Sequence, residues 1–151
     1  MKYILNKISI RKVKFGKNCK VVNPVNLFEC ILGNNVFVGP FVEICKNVKI
    51  GDNTRISTHS YICEGVVIGK NCFVGHGVMF TNDKFLNGKI TRDSNKWLKT
   101  KIGNKVLIGS NATILPVKIC DNVIIGAGSV VTKNIYKSGK YAGNPAKKIK
   151  D

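Results

Sequence analysis

A chain of 151 residues with 44% apolar side chains can bury a core of its own and is too apolar for a disordered segment. It has no uninterrupted apolar run of about 18 residues, so no membrane span is expected. The net charge of +17 comes mostly from lysines spread along the whole chain, and without clustered arginine or an aromatic-basic motif it does not specify a nucleic acid.

In chain order, the first residues, Met1 to Lys7, lack an apolar stretch long enough for a signal peptide, which makes a cytoplasmic location the expectation. Phe15-Gly16-Lys17-Asn18-Cys19 and Val21 read as a weak first coil. From residue 32 a period of six takes over: Leu32, Val38, Ile44, Ile50, Ile56, Ile62, Ile68, Val74 and Phe80. Glycine often follows, as in Gly33, Gly39, Gly51, Gly69 and Gly75. Four positions after each aliphatic residue stands a small or β-branched one, among them Val36, Val42, Thr54, Ser60 and Cys72. The pattern vanishes between Thr81 and Thr100 and returns at Ile102, Ile108 and Ile114, then at Ile119, Ile125 and Val131 after a turn one residue short. It covers roughly residues 13 to 135, within one domain spanning 1–151 and a short tail from about 139.

A period of six matches neither the 3.6 of a helix nor the 2 of an ordinary strand, but it suits a short strand plus a turn. Three such units make a triangular coil of 18 residues, and successive coils stack at about 4.8 Å. The aliphatic residues then form inward ladders, and Gly33-Asn34-Asn35, Gly51-Asp52-Asn53 and Gly69-Lys70-Asn71 supply corners of unusual φ. The expected fold is an all-β parallel β-helix with one protruding loop at about 81–100. The six cysteines, at 19, 30, 45, 63, 72 and 120, contain no C-x-x-C pair, and five of them fall beside a repeat unit where small residues recur, as reduced hydrophobes do.

The repeat resembles that of the left-handed β-helix acyltransferases, whose signature is [LIV]-G-x-x-x-x. The resemblance implies the left hand, a homotrimer with active sites between subunits, and an acyl-CoA donor. The strings Gly39-Pro40-Phe41-Val42-Glu43-Ile44, Ile62-Cys63-Glu64-Gly65-Val66 and Gly75-His76-Gly77-Val78-Met79-Phe80-Thr81-Asn82-Asp83 narrow it. They are similar to those of N-acetyltransferases acting on nucleotide-linked amino sugars, notably 3-amino sugars destined for surface polysaccharide.

Acetyl transfer from a thioester needs a neutral amine, a proton acceptor and stabilisation of the oxyanion. Asn82 can orient the amine through its side-chain carbonyl, as the matching residue does in the resembling subgroup, and His76 or Asp83 can take a proton. Glu43, His59, Glu64, Phe85 and Arg92 are the candidate substrate contacts, the last two on a loop that also holds the one tryptophan, Trp97. His59 and His76 lie 17 residues apart, on one side of adjacent coils, and the one-residue offset predicts that they point to opposite sides of the sheet. A zinc site of carbonic-anhydrase type would need three histidines, and this chain has two, so no metal is expected.

The late coils and the ending Tyr141-Ala142-Gly143-Asn144-Pro145-Ala146-Lys147 match the CoA-binding edge of the resembling enzymes. The match makes Gly109, Ala112, Ala127, Asn144 and Pro145 candidates for binding acetyl-CoA, the Gly and Ala residues leaving room for the pantetheine arm, with Lys133 and Lys147 for the phosphates. Relatives often continue into a C-terminal extension, and this chain ends soon after that motif. The alternatives are acetylation, on oxygen or nitrogen, of another small acceptor, and a catalytically silent scaffold of the same fold.

Overall fold

The computed structural model describes residues 9–85 and 88–150. Short strands, most of two residues, alternate with tight turns and gather into three sheets of seven, six and eight strands. The chain visits these sheets in rotation. Glu43–Ile44 lies on the seven-stranded sheet, face A; Lys49–Ile50 lies on face B, and Arg55–Ile56 on face C. Tyr61–Ile62 then returns to face A in parallel register, Tyr61 against Glu43 and Ile62 against Ile44. This is a parallel β-helix, and its edges are called AB, BC and CA after the faces they join.

The period explains the core residue by residue. Each aliphatic position from Leu32 to Phe80 and from Ile102 to Val131 points inward and is buried, as are the partners four residues on, from Val36 to Val78. Each coil buries this inner surface only against its neighbours, so the ladder is continuous. Thr54 and Ser60 enter the core because their hydroxyls donate to the carbonyls of Gly69 (2.8 Å) and Gly75 (2.9 Å). Edge BC is sealed by an asparagine ladder, Asn18 to Asn35 to Asn53 to Asn71, each amide bonded to the next at 2.9–3.3 Å. These asparagines adopt positive φ, a conformation asparagine tolerates better than most residues.

The helix is longer than the period indicated. Ile10–Arg11 already pairs in parallel with Leu27 and Phe28. The presumed tail is no tail: Gly139–Ala142 pairs in parallel with Val123–Ile125, and Lys147–Lys148 folds back antiparallel on it. Polar and lysine-rich composition hid these strands, because a capping coil keeps one side exposed. All six cysteines are free thiols. Among the described residues no helix is long and apolar enough to cross a membrane.

Candidate active site

Edge CA stacks the turns Gly39-Pro40-Phe41, Ser57-Thr58-His59, Gly75-His76-Gly77, Gly109-Ser110-Asn111, Gly126-Ala127-Gly128 and Gly143-Asn144-Pro145. His76 stands near the middle, pinned through its backbone. Its N–H donates to Ser110 Oγ (3.2 Å), and its carbonyl accepts the Asn111 N–H (2.8 Å). Ser110 Oγ also lies 3.4 Å from Nδ1 of the imidazole, so one hydroxyl from the next coil fixes both backbone and ring. Gly75 permits this: a Cβ there would lie 2.7 Å from the Ser110 nitrogen and 2.8 Å from the Ile108 oxygen. His59, one coil earlier, takes a hydrogen bond between Nδ1 and Thr58 Oγ1 (3.0 Å) and stacks on Phe41 with ring centroids 4.9 Å apart.

The two histidines do not point to opposite sides of a sheet. Both are exposed at the same edge, because they occupy turns and strand alternation does not apply there. His59 and Phe41 both have positive φ, 59° and 58°, where glycine or asparagine stands in other turns of this edge. Holding two bulky rings in that conformation costs on the order of 1–3 kcal/mol each, and the outcome is a pair of stacked rings facing outward.

The loop leaves from the other end of face A, at edge AB, directly after the strand Met79–Phe80. Asp83 organises it. Its carboxylate accepts the N–H of Phe85 (2.8 Å) and the N–H and hydroxyl of Thr91 (2.6 and 3.1 Å), and these bonds hold its pKa below the usual aspartate value. The Thr91 carbonyl in turn accepts the Trp97 indole N–H at 2.6 Å. Asp83 is therefore the latch at the loop's neck, and a carboxylate so engaged is a poor proton acceptor; this corrects its expected catalytic role. Asn82 precedes the latch and is half-buried, whereas Phe85 (60% exposed) and Arg92 lie on the outer loop.

Glu64 sits at edge AB, where Oε1 accepts Asn47 Nδ2 at 3.2 Å and pairs with Lys46 Nζ at 3.6 Å. Glu43 faces outward on face A beside Tyr61, and the Cys45 thiol lies 3.9 Å from its Oε1. Burial pushes the thiols of Cys45 and Cys63 up to about 11 and 12, and raises the Tyr61 hydroxyl as well.

Among the donor-side candidates, Gly109, Ala127, Asn144 and Pro145 share edge CA with His76, in the coils that follow it. Ala112 does not belong with them: it is fully buried in the ladder and can touch no ligand. It stands four residues after Ile108, the inward partner position of the period, which its small size alone did not reveal. Lys133 is at edge AB, where it lines a cleft of about 410 Å³ with Lys84 and Thr132. Lys147 lies on the exposed antiparallel strand at the C-terminal end.

The sequence of residues 29–63 and 47–82 matches the family described as bacterial transferase hexapeptide (six repeats), and residues 99–133 match the hexapeptide repeat of succinyl-transferase. The chain carries the hexapeptide repeat of bacterial transferases along residues 29–82 and 99–133. The bifunctional protein GlmU of Streptococcus uberis is 31% identical over 98% of this chain and 34% of its own length. This hexapeptide-repeat chain thus spans about a third of that curated relative. The perosamine N-acetyltransferase of Caulobacter crescentus, solved with CoA and GDP-perosamine, shares the fold with a TM-score of 0.68. It is 23% identical, over 94% of this chain and 57% of that one. A galactoside acetyltransferase in complex with coenzyme A is 28% identical with a TM-score of 0.66, over 93% of this chain and 65% of that one.

Within the chain, the candidate residues form two groups. His59, His76 and most of the donor-side residues share edge CA; Glu64, Asn82, Asp83 and Lys133 share edge AB. His76 and Asn82 stand six positions apart in the chain, at the two ends of one strand of face A, on the order of 15–20 Å from each other. Sequence reasoning missed Ser110, Thr91 and Lys84. Ser110 and Thr91 act through contacts 34 and 8 residues away, which no local pattern announces.

Proposed function

We propose that this chain is an acetyl-CoA-dependent N-acetyltransferase acting on the amino group of a UDP- or dTDP-linked amino sugar, probed first as a 3-amino sugar. It works in the cytoplasm as a homotrimer with active sites between subunits. The observation that carries this reading is the division of the candidate residues between the two edges that flank one face. A three-fold arrangement with face A toward the axis lays edge CA of one subunit against edge AB of the next. His76 of one copy then meets Asn82 of its neighbour, as two halves of one site. The outward residues of face A, Asn26, Glu43, Tyr61, Met79, Thr113 and Val130, are mixed in character and suit an axial contact.

In this arrangement Asn82 accepts an N–H of the acceptor amine and aims its lone pair at the thioester carbonyl. His76, oriented through Ser110, takes the proton that the amine loses as the new C–N bond forms, and CoA leaves as the thiol(ate). Gly109 and Ala127 leave room for a pantetheine arm to lie against the backbone of the coils beyond His76. The galactoside acetyltransferase with bound coenzyme A supports the donor, and the strings around Glu43, Glu64 and Asn82 support the acceptor. The excess of 25 basic over 8 acidic residues attracts both polyanionic substrates.

The test is thiol release from acetyl-CoA by purified protein against uridine- and thymidine-diphosphate 3-amino and 4-amino sugars. Saturable release with one of them, lost in Asn82→Ala and in His76→Ala, is the expected result. No release with any amino sugar, and no stabilisation by CoA, overturns the reading.

A further inference from the structure

We infer that the groove beneath the loop holds the nucleoside of the nucleotide-linked acceptor, an inference that rests on the proposed function. The groove has a volume of about 540 Å³, lies where the returning limb of the loop passes edge AB and face B, and is within the range of sites for compact organic ligands. Trp97 forms one wall. Its indole N–H is already committed to the Thr91 carbonyl, so the ring is held beside the groove without an unmet polar demand. Ile31 and Val67 supply apolar surface from face B. Glu29, Asn47 and Glu64, from three successive coils, present oxygens along the edge. Both contacts of Glu64 within the protein fall on Oε1, which leaves Oε2 for a ligand.

These walls ask for a ligand that is flat, apolar on its faces and rich in hydrogen-bond donors at its rim. A nucleobase on a ribose meets all three demands: the base stacks on Trp97, and imide N–H and ribose hydroxyl groups donate to Glu64 and Asn47. A bare diphosphate does not, because two carboxylates line the groove. Lys49 and Lys99, also on its lining, suit the phosphates that follow the nucleoside. The adenosine of CoA has similar chemistry, but Gly109, Ala127, Asn144 and Pro145 occupy later coils, while the groove runs beside the earlier ones. The acceptor's nucleoside is therefore the occupant assigned.

Trp97 is the one tryptophan in the chain, so its emission reports on the groove directly. Uridine and thymidine diphosphates are titrated while emission and heat are recorded, with pyrophosphate and CoA as separate titrations. The expected result is saturable quenching by one nucleoside diphosphate and no response of Trp97 to pyrophosphate or CoA. By calorimetry, Trp97→Ala and Glu64→Gln each weaken binding by about ten-fold or more, while Trp97→Phe stays within about three-fold of the parent. Unchanged binding in Trp97→Ala and Glu64→Gln, or equal quenching by pyrophosphate or CoA, overturns the assignment. Thiol release separates the two levels. Turnover of a nucleotide amino sugar with unchanged KM in Trp97→Ala sinks the groove alone, whereas no turnover with any of them sinks the underlying reading too.

Discussion

The coils and the loop of this protein are held by different means. In the coils every turn is repeated six or seven times, and backbone groups bond from coil to coil, as in Gly33 N–H to Ile50 carbonyl and Gly51 N–H to Ile68 carbonyl, both 2.8 Å. No single residue decides the architecture. The loop between Thr81 and Thr100 has no such repetition, and its neck depends on one carboxylate, Asp83, and one relay through Thr91 to Trp97. The contrast separates a scaffold that tolerates substitution at its surface from a segment in which one side chain positions several others. In the proposed function the chemistry falls at the border of the two: His76 on the repetitive edge, Asn82 at the root of the loop.

Substitutions on either side of that border give different signatures. The largest change expected is His76→Ala, which lowers kcat for acetyl transfer by about 10²–10⁴-fold and leaves the melting temperature near that of the parent. Ile62→Ala, in the fully buried ladder, does the reverse. It destabilises the coils by about 2–5 kcal/mol, read by denaturant unfolding, with activity per folded molecule nearly retained. Asp83→Asn comes next, with kcat reduced about ten-fold, a changed Trp97 emission and a melting temperature close to the parent's, since the coils do not rely on the latch.

Acid treatment sharpens the same comparison. The pKa of Asp83 is lowered in the latched loop, so the latch is fully present above the ordinary aspartate value of about 3.9 and is lost as pH falls through the lower, folded value. Trp97 emission should hold constant from neutral pH to about 4 and change only below it, and Asp83→Asn should remove that transition. The smallest effect concerns the thiols. Alkylation at neutral pH should reach the half-exposed Cys19 and Cys120, while Cys45 and Cys63, raised to about 11 and 12 by burial, stay unmodified in mass spectra of the folded protein.

The coils were legible in the sequence because six-residue periodicity maps directly onto buried positions, and Leu32, Ile44, Ile56, Ile68 and Ile108 all fall where the period puts them. The site was legible only in part. Ala112, four residues after Ile108, falls at the buried partner position that the period marks, whereas Ala127, two residues after Ile125, faces out; choosing both by small size alone passed over that register. The direction of His59 and His76 could not be taken from strand alternation, because both lie in turns and His59 has a positive φ. Asp83 carried the residue type of a base, and only its three hydrogen bonds reveal a latch. The distribution of candidates over two edges also follows from where face A begins and ends, which spacing alone does not display.

The central claim is that one active site takes His76 from one subunit and Asn82 from the next. It is tested most directly by mixing the two inactive variants, His76→Ala and Asn82→Ala, after joint unfolding and refolding or co-expression. In randomly mixed trimers, about a quarter of the subunit junctions unite an intact His76 with an intact Asn82, so thiol release should recover to about a quarter of the parent's. Mixed trimers that form, as mass spectrometry of the intact assembly would show, but remain as inactive as either variant alone would contradict the account.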